Sequence, residues 1–361
     1  MASRSLTSLF FAGALLGATA VGADPQPRTG SVGDGSGLQI SGAADLVGTF
    51  DAGSRLPSSA TNRFDAREAE LLLFAPVDTL FDGQLSMAAH QEFGTYNFEL
   101  HELFVASSRL IPRSRIRAGQ FFLGVGRLNQ VHRHDWPFVS SPKVHREFFG
   151  GNHGALDAGF EYGWLLPADF YLDLTIGVTN GWVLGHSHTL GLRPQFPTHY
   201  LRLATYADLA DSSGLQVGLN YLGRRDNAGM WTTMLGIDVV AKRREGRRLP
   251  FYFQGEVWYR ARSDRNGNSD STLGFYAYPQ VGLGDFYSVG LRVDGFVPIA
   301  PTSGFEWALV PTLSYRLSEF SVLRAALTAS RGSVGGVETT SSQVAELQAV
   351  FILGAHPAHD F

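Results

Sequence analysis

Leu38-Gln39-Ile40-Ser41-Gly42-Ala43-Ala44-Asp45-Leu46-Val47-Gly48-Thr49-Phe50-Asp51 decides the fold. Leu38, Ile40, Gly42, Ala44, Leu46, Gly48 and Phe50 alternate with Gln39, Ser41, Ala43, Asp45, Val47, Thr49 and Asp51, a period of two. Side chains on a β-strand point alternately to opposite faces, so one face of this stretch is apolar and the other largely polar. The pattern returns where Phe170, Leu172, Leu174, Ile176 and Val178 oppose Tyr171, Asp173, Thr175, Gly177 and Thr179. It returns again where Phe251, Phe253, Val257 and Tyr259 oppose Tyr252, Gln254, Glu256, Trp258 and Arg260. The alternation predicts strands at 38–51, 64–76, 80–91, 96–109, 113–123, 154–164, 170–183, 198–209, 214–223, 229–242, 249–262, 270–281, 285–296, 304–316, 319–330 and 343–355.

Strands in soluble sandwiches and propellers usually run about five or six residues. These segments are about twice that length, which is what a tilted strand needs to cross a bilayer. Their polar faces carry Asp, Glu, Arg and Gln throughout. Packed against a second sheet, such faces would bury charge; closed around water, they would not. The expected fold class is therefore all-β, a transmembrane antiparallel β-barrel of about 16 strands. An even strand count returns both termini to one side.

Composition agrees once the two faces are separated. The 361 residues are 44% hydrophobic and 17% charged, with 42 Gly, no Cys and formal charge −4. Mean hydropathy is −0.03, the near-neutral average expected when apolar and polar faces are summed. Absence of Cys excludes a disulfide scaffold and thiolate metal sites, and the charge gives no reason to expect a nucleic-acid partner. Residues 1–23 read as a cleaved signal peptide: Arg4, the stretch Leu9 to Gly17, then Val21-Gly22-Ala23 before Asp24. Residues 24–37 form a periplasmic N-terminal segment and 38–361 the barrel. After Ala23 no run reaches the ~18 apolar residues of a membrane helix.

Connections after the even-numbered segments are short, among them Ala75-Pro76-Val77-Asp78-Thr79, Ile111-Pro112, Gly282-Leu283-Gly284 and Leu317-Ser318. Those after odd-numbered segments include long ones at 124–153, 184–197 and Gly332 to Gln343, with Glu92-Phe93-Gly94-Thr95 and Arg224-Arg225-Asp226-Asn227-Ala228 as short exceptions. Short periplasmic turns and longer outside loops are the barrel pattern, so 124–153 is the third and longest outside loop.

The chain's end adds a resemblance. Ala345, Leu347, Ala349, Phe351 and Leu353 alternate with Glu346, Gln348, Val350 and Ile352, and the sequence ends at Phe361. This resembles the terminal signal by which bacterial outer-membrane proteins are recognised, and implies the barrel assembly machinery as a partner through Phe361. The stretch Ala355-His356-Pro357-Ala358-His359-Asp360 departs from that rule by placing a polar, proline-containing tail before the aromatic. Gly354-Ala355-His356-Pro357-Ala358-His359 resembles the ending of a zinc-regulated type of outer-membrane porin. The whole pattern is similar to the sixteen-stranded bacterial porins, including the phosphate-selective type. The resemblance implies a channel for passive diffusion of small hydrophilic solutes or ions in a Gram-negative outer membrane, a homotrimer surrounded by outer-membrane lipid, and a third loop folded inward.

Candidate channel residues follow. Arg113, Arg115 and Arg117 alternate on the fifth segment as a basic ladder suited to phosphate-like anions. Asp45, Asp82, Glu92, Glu99, Asp157, Glu161 and Asp173 oppose them, either as a transverse field or as cross-strand partners. The third loop contributes Arg127, His132, His134, Asp135, Lys143, His145 and Arg146, and charge at a constriction sets selectivity. Zinc is the one metal the sequence suggests, either as a bound ion or as the solute of a zinc-biased channel lined by the His-bearing loops, beside the alternative of a channel biased for phosphate-like anions. His132, His134, His186 and His188 are the candidate ligands, with His145, His153, His356 and His359 nearby in sequence, although spacing does not show that they converge. No G-x-S-x-G or H-E-x-x-H occurs, so the chain reads as a non-enzyme, with an outer-membrane barrel phospholipase as the enzymatic alternative.

Overall fold

The computed structural model describes residues 37–51, 62–92, 95–151, 153–181, 194–210, 212–246 and 248–354. Residues 1–36, His186, His188, His356, His359 and Phe361 lie outside the described residues, as does the side chain of Glu92. Sixteen strands close into one antiparallel barrel. They are β1 Gln39–Asp51, β2 Arg63–Pro76, β3 Asp82–Glu92, β4 Thr95–Ser107, β5 Ser114–Phe122, β6 Leu156–Leu165, β7 Tyr171–Thr179 and β8 Thr198–Ala210. They continue as β9 Ser213–Arg225, β10 Trp231–Glu245, β11 Arg248–Ser263, β12 Ser269–Leu283, β13 Tyr287–Ala300, β14 Gly304–Ser318, β15 Ser321–Val334 and β16 Val337–Gly354. Each strand pairs with its sequence neighbours, and β1 pairs with β16 through Asp45 opposite Val350, leaving no sheet edge in the ring.

Alternation sorts the two faces as the sequence predicts. On β1, Ile40 and Phe50 are exposed on the outside while Ser41, Ala43, Asp45 and Val47 are buried inside. On β7, Asp173, Thr175 and Thr179 face in, and Ile176 and Val178 face out. Exposed aromatic rings gather at both ends of the wall: Phe50, Phe64, Tyr96, Phe98, Trp231 and Phe305 at one, Phe170, Phe251, Phe286, Tyr287 and Phe320 at the other. Rings at those two levels suit the two interfaces of a bilayer. Among the described residues no helix is long and apolar enough to cross a membrane.

At one end the connections are tight. Residues 77–81 join β2 to β3, where Asp78 accepts hydrogen bonds from the backbone of Leu80 at 2.7 Å and Phe81 at 2.8 Å, an Asx turn. The last hairpin corrects an expectation. The alternation predicts a long loop from Gly332 to Gln343, but β15 runs to Val334 and β16 begins at Val337. The turn is Gly335-Gly336, with φ of 59° and 79°, the left-handed pair that a two-residue hairpin requires. Between Ser330 and Ser342 only Val334 and Val337 are apolar, so hydropathy loses its period there while the hydrogen-bond ladder continues.

Residues 123–155, between β5 and β6, turn into the barrel. Leu123, Val125, Leu128, Trp136, Phe138, Val144, Phe148 and Phe149 are buried against Tyr200, Leu222, Met234, Tyr252, Trp258, Tyr276, Tyr278 and Phe296 of the far wall. Full burial of an aliphatic or Phe side chain contributes about 1.5–3 kcal/mol, so this apolar contact is a large part of what seats the loop.

Candidate functional site: the inward loop and its polar seam

The loop is held at its neck. Asn129 donates from Nδ2 to the carbonyls of Leu123 at 2.8 Å and Ala155 at 3.0 Å, and its Oδ1 accepts from the Ala155 amide at 2.6 Å. One side chain thereby joins the entering and leaving strands of the loop. Gly126, at φ 63°, passes so close to the wall that a Cβ there would meet Glu256 Oε2 at 2.6 Å. This lets the Gly126 amide donate to Asn220 at 2.8 Å, and the amides of Arg127 and Leu128 donate to Glu256 Oε1 at 3.1 and 2.6 Å. A carboxylate thus receives the open amides of the short 3-10 helix Leu128–Gln130.

Further along, Tyr278 donates to the Pro137 carbonyl at 3.1 Å, Arg292 donates to the Ser140 carbonyl, and Lys143 pairs with Glu306. Arg260 donates to the Glu147 carbonyl at 2.9 Å and lies over Phe148. The loop therefore touches β9 and β11 to β14 while also reaching β2, where Arg67 donates to the Val139 carbonyl at 2.8 Å. It crosses the interior and narrows whatever path the barrel encloses. Below it, at the short-turn end, a cavity is lined by Arg127, Lys242, Arg244, Arg316 and Arg324 with Asp135 and Asp285, a predominantly basic vestibule.

Against β2 to β4 the contact is of another kind. Glu68 and Glu70 on β2, His90 on β3, and Glu99, His101 and Glu102 on β4 meet His132, His134 and Asp135 of the loop, with His153 from its last turn. His132 places Nδ1 2.8 Å from Glu70 and Nε2 3.2 Å from Glu102. His134 places Nδ1 3.1 Å from Glu70 and Nε2 3.0 Å from Asp135. His153 Nδ1 is 3.3 Å from Glu68, and the Nε2 atoms of His90 and His101 are 2.9 Å apart. Gln84 donates to Glu102 at 2.7 Å, and Ser86 donates to Glu70. Glu68 and His101 are each 2% exposed, so this is an enclosed seam and not a solvated rim.

Burial acts against charge on the loop imidazoles, yet Glu70 and Glu102 hold His132 well above the ordinary histidine range, and Asp135, Glu68 and Glu70 do the same for His134. His153 is pushed down to about 3, with burial outweighing its contact with Glu68.

Two β-bulges build it. Opposite β1, Asp45 pairs with Glu68 but Leu46 pairs with Ala66, so Arg67 is an extra residue. Opposite β3, Ser86 pairs with Glu102 but Met87 pairs with Leu100, so His101 is extra. A bulge turns two consecutive side chains to the same face. This is why Arg67 with Glu68, and His101 with Glu102, both face the interior. Strict alternation conceals these residues, although the spacings Glu68-x-Glu70 and His132-x-His134-Asp135, and His90 opposite Glu68, carry a readable signal.

The other candidates are dispersed. The basic ladder on β5 needs correction. Arg113 precedes the strand with φ 62° and is exposed, donating to the carbonyls of Leu165 at 3.0 Å and Leu166 at 2.7 Å at the short-turn end. Arg115 makes a two-pronged pair with Asp173, both bonds 2.9 Å, and reaches Thr175 at 2.6 Å. Arg117 pairs with Glu161 at 3.0 Å and lies over Phe121. Of the proposed ladder, two members are committed to wall carboxylates and the third points out of the lumen. Asp173 is accordingly half of a pair, and Glu99 sits at the seam, 3.8 Å from His90. His145 is not at the constriction: it is enclosed by Trp136, Phe149 and Ser141, and burial pushes its pKa down to about 3. Arg146 donates to the Ser141 carbonyl within the loop at 2.6 Å.

Comparison with known proteins bears on the fold. No protein-family model matches this chain. An uncharacterized protein of Aquifex aeolicus is 26% identical over 339 residues, spanning 82% of this chain and 70% of its own. Among solved structures, a loop-deleted form of OmpT, an outer membrane protein of Vibrio cholerae, superposes with a TM-score of 0.62 at 8% identity, covering 89% of this chain and 100% of that one. The anion-selective porin from Comamonas acidovorans gives 0.59 at 12% identity, covering 88% and 99%. The fold is a porin barrel. The outer membrane channel DcaP of Acinetobacter baumannii shares it as well, with a TM-score of 0.60 at 8% identity, covering 88% and 97%. Identities this low speak for the porin architecture alone, and the seam is a feature of this chain's own residues.

Proposed function

We propose that this chain is an outer-membrane channel through which small hydrophilic solutes or ions diffuse passively, with its cross-section set by residues 123–155. One observation carries the reading: a closed barrel, apolar outside and polar inside, whose longest described connection is seated across the interior. A water-lined path needs no conformational cycle. Export through a signal peptide, insertion by the assembly machinery and a homotrimer belong to the same reading. One of the similar structures is a trimer form of Vibrio cholerae OmpT. A bias for phosphate-like anions gains nothing from β5, where Arg115 and Arg117 are committed to Asp173 and Glu161. The basic vestibule would enrich anions only at the short-turn mouth.

The test is reconstitution of the purified protein into planar bilayers in KCl. Discrete, ohmic conductance steps are the expected outcome. A folded, inserted protein that gives no steps would overturn the channel reading.

A further inference from the structure

We propose that the seam between the inward loop and strands β2 to β4 is a binding site for a late first-row divalent cation of the Zn2+ class, formed by Glu68, Glu70, His90, His101, His132, His134 and His153, which ties the loop to the wall.

The geometry comes first. Three ligand sets overlap: His90 with His101 and His153, Glu70 with His101 and His132, and Glu68 with Glu70 and His134. Within each set the donor atoms lie within 4.8 Å of one another. A cation about 2.0–2.2 Å from each nitrogen or oxygen spans donors up to about 4.4 Å apart, so a few tenths of an ångström of closure completes any set. Glu70 joins two sets. Its Oε1 lies beside His132 Nδ1 at 2.8 Å and His101 Nδ1 at 3.4 Å, while its Oε2 faces His134 Nδ1 at 3.1 Å. A carboxylate placed this way bridges two neighbouring ion positions. His101 likewise turns Nε2 toward His90 and Nδ1 toward Glu70.

A second observation is independent of spacing. Oε2 of Glu68 and Oε2 of Glu70, in residues at least nine-tenths buried, make no hydrogen bond of good geometry, and the atoms that face them are imidazole nitrogens, His153 Nδ1 at 3.3 Å and His134 Nδ1 at 3.1 Å. A buried carboxylate oxygen without a donor is costly unless a cation faces it. Among the described residues the ion-pair partners of Glu68, Glu70 and Glu102 are all imidazoles. A divalent cation supplies the missing charge and takes the imidazole lone pairs at once.

The donor set selects the class of ion. Mixed imidazole and carboxylate suits Zn2+, Ni2+, Co2+ or Cu2+, whereas Mg2+ and Ca2+ favour all-oxygen shells, and absence of Cys removes the thiolate donors that Cu+ prefers. Asp135 on the far nitrogen of His134, at 3.0 Å, is the carboxylate partner that orients a ligating imidazole. Donors come from both sides of the seam: His132, His134 and His153 from residues 123–155, and the rest from the wall. An ion bound here is a cross-link between loop and barrel.

The experiment uses the full chain, folded in detergent, stripped with chelator and dialysed against Zn2+ with excess Mg2+ and Ca2+. Bound metal is counted per chain, and X-ray absorption at the zinc edge reads its ligands. At least one Zn2+ per chain with imidazole scattering is expected, retained in His199→Ala, whose imidazole meets Tyr221 at 2.9 Å away from the seam. In His101→Ala and in Glu70→Gln the affinity should fall on the order of tenfold or more. Glu70→Gln keeps the side-chain shape, so its result decides should His101→Ala not fold. No uptake by the unaltered chain, or uptake undiminished in folded Glu70→Gln, would overturn the site. The channel reading is untouched by either result, because conductance steps are measured separately.

Discussion

The inward loop meets the barrel on two sides that differ in kind. Toward β8 to β14 it presents Trp136, Phe138, Val144, Phe148 and Phe149 to an aromatic wall, with ring contacts such as Phe138 to Tyr278 at 5.3 Å and Phe149 to Trp258 at 4.8 Å. Toward β2 to β4 it presents imidazoles and a carboxylate to more of the same. Apolar contact has no titrating group and no site for a cation, whereas a seam of imidazoles and carboxylates responds to pH and cations and is screened by salt. The rings, with the Lys143–Glu306 pair and the amides on Glu256, hold the loop on one side, and the imidazoles and carboxylates meet it on the other.

The largest break in this division is Trp136→Ala. Trp136 is fully buried between Phe138 and His145, and its Nε1 donates to the Val131 carbonyl at 2.9 Å. Its loss should remove about 3–5 kcal/mol of packing. The loop should become sensitive to limited proteolysis in the folded barrel, and single-channel conductance should rise. A smaller effect is expected at the neck, from Asn129→Asp. The substitution turns a carboxylate oxygen toward the Leu123 and Ala155 carbonyls in place of the donating amide. The cost should be about 1–3 kcal/mol, seen as a lower temperature of heat-modified migration without loss of the barrel.

Smallest of all is a paired comparison on the wall between the two sides. Arg115→Ala leaves Asp173 without its partner and should move the reversal potential in a KCl gradient toward cation preference. Arg113→Ala, at an exposed turn, should leave it unchanged.

Strand order, orientation of faces and the length of 124–153 are legible because alternation and loop length are local properties of the sequence, whereas the loop's inward course came only with the resemblance to porins. Predicted ends agree with the observed ones within a few residues for most strands, as in 198–209 against Thr198–Ala210 and 38–51 against Gln39–Asp51. The last hairpin was not legible, because its polar extension keeps the ladder without keeping the hydropathic period. The seam was half legible. His132, His134, Asp135 and Glu99 were read as candidates, while Glu68, Glu70, His90, His101 and Glu102 were missed. At Arg67 and His101 the bulges break the very parity by which inward residues are counted. Arg113 failed for the opposite reason: it continues the parity of β5 one residue past the point where the strand begins.

The central claim is that residues 123–155, seated in the lumen, set the conducting path. It is tested most directly by single-channel conductance of the unaltered protein beside a variant in which residues 127–150 are replaced by a short glycine and serine link, both shown to be folded by heat-modified migration. The account predicts discrete steps from both, with a severalfold larger conductance from the variant. Equal conductance from the two barrels would contradict it.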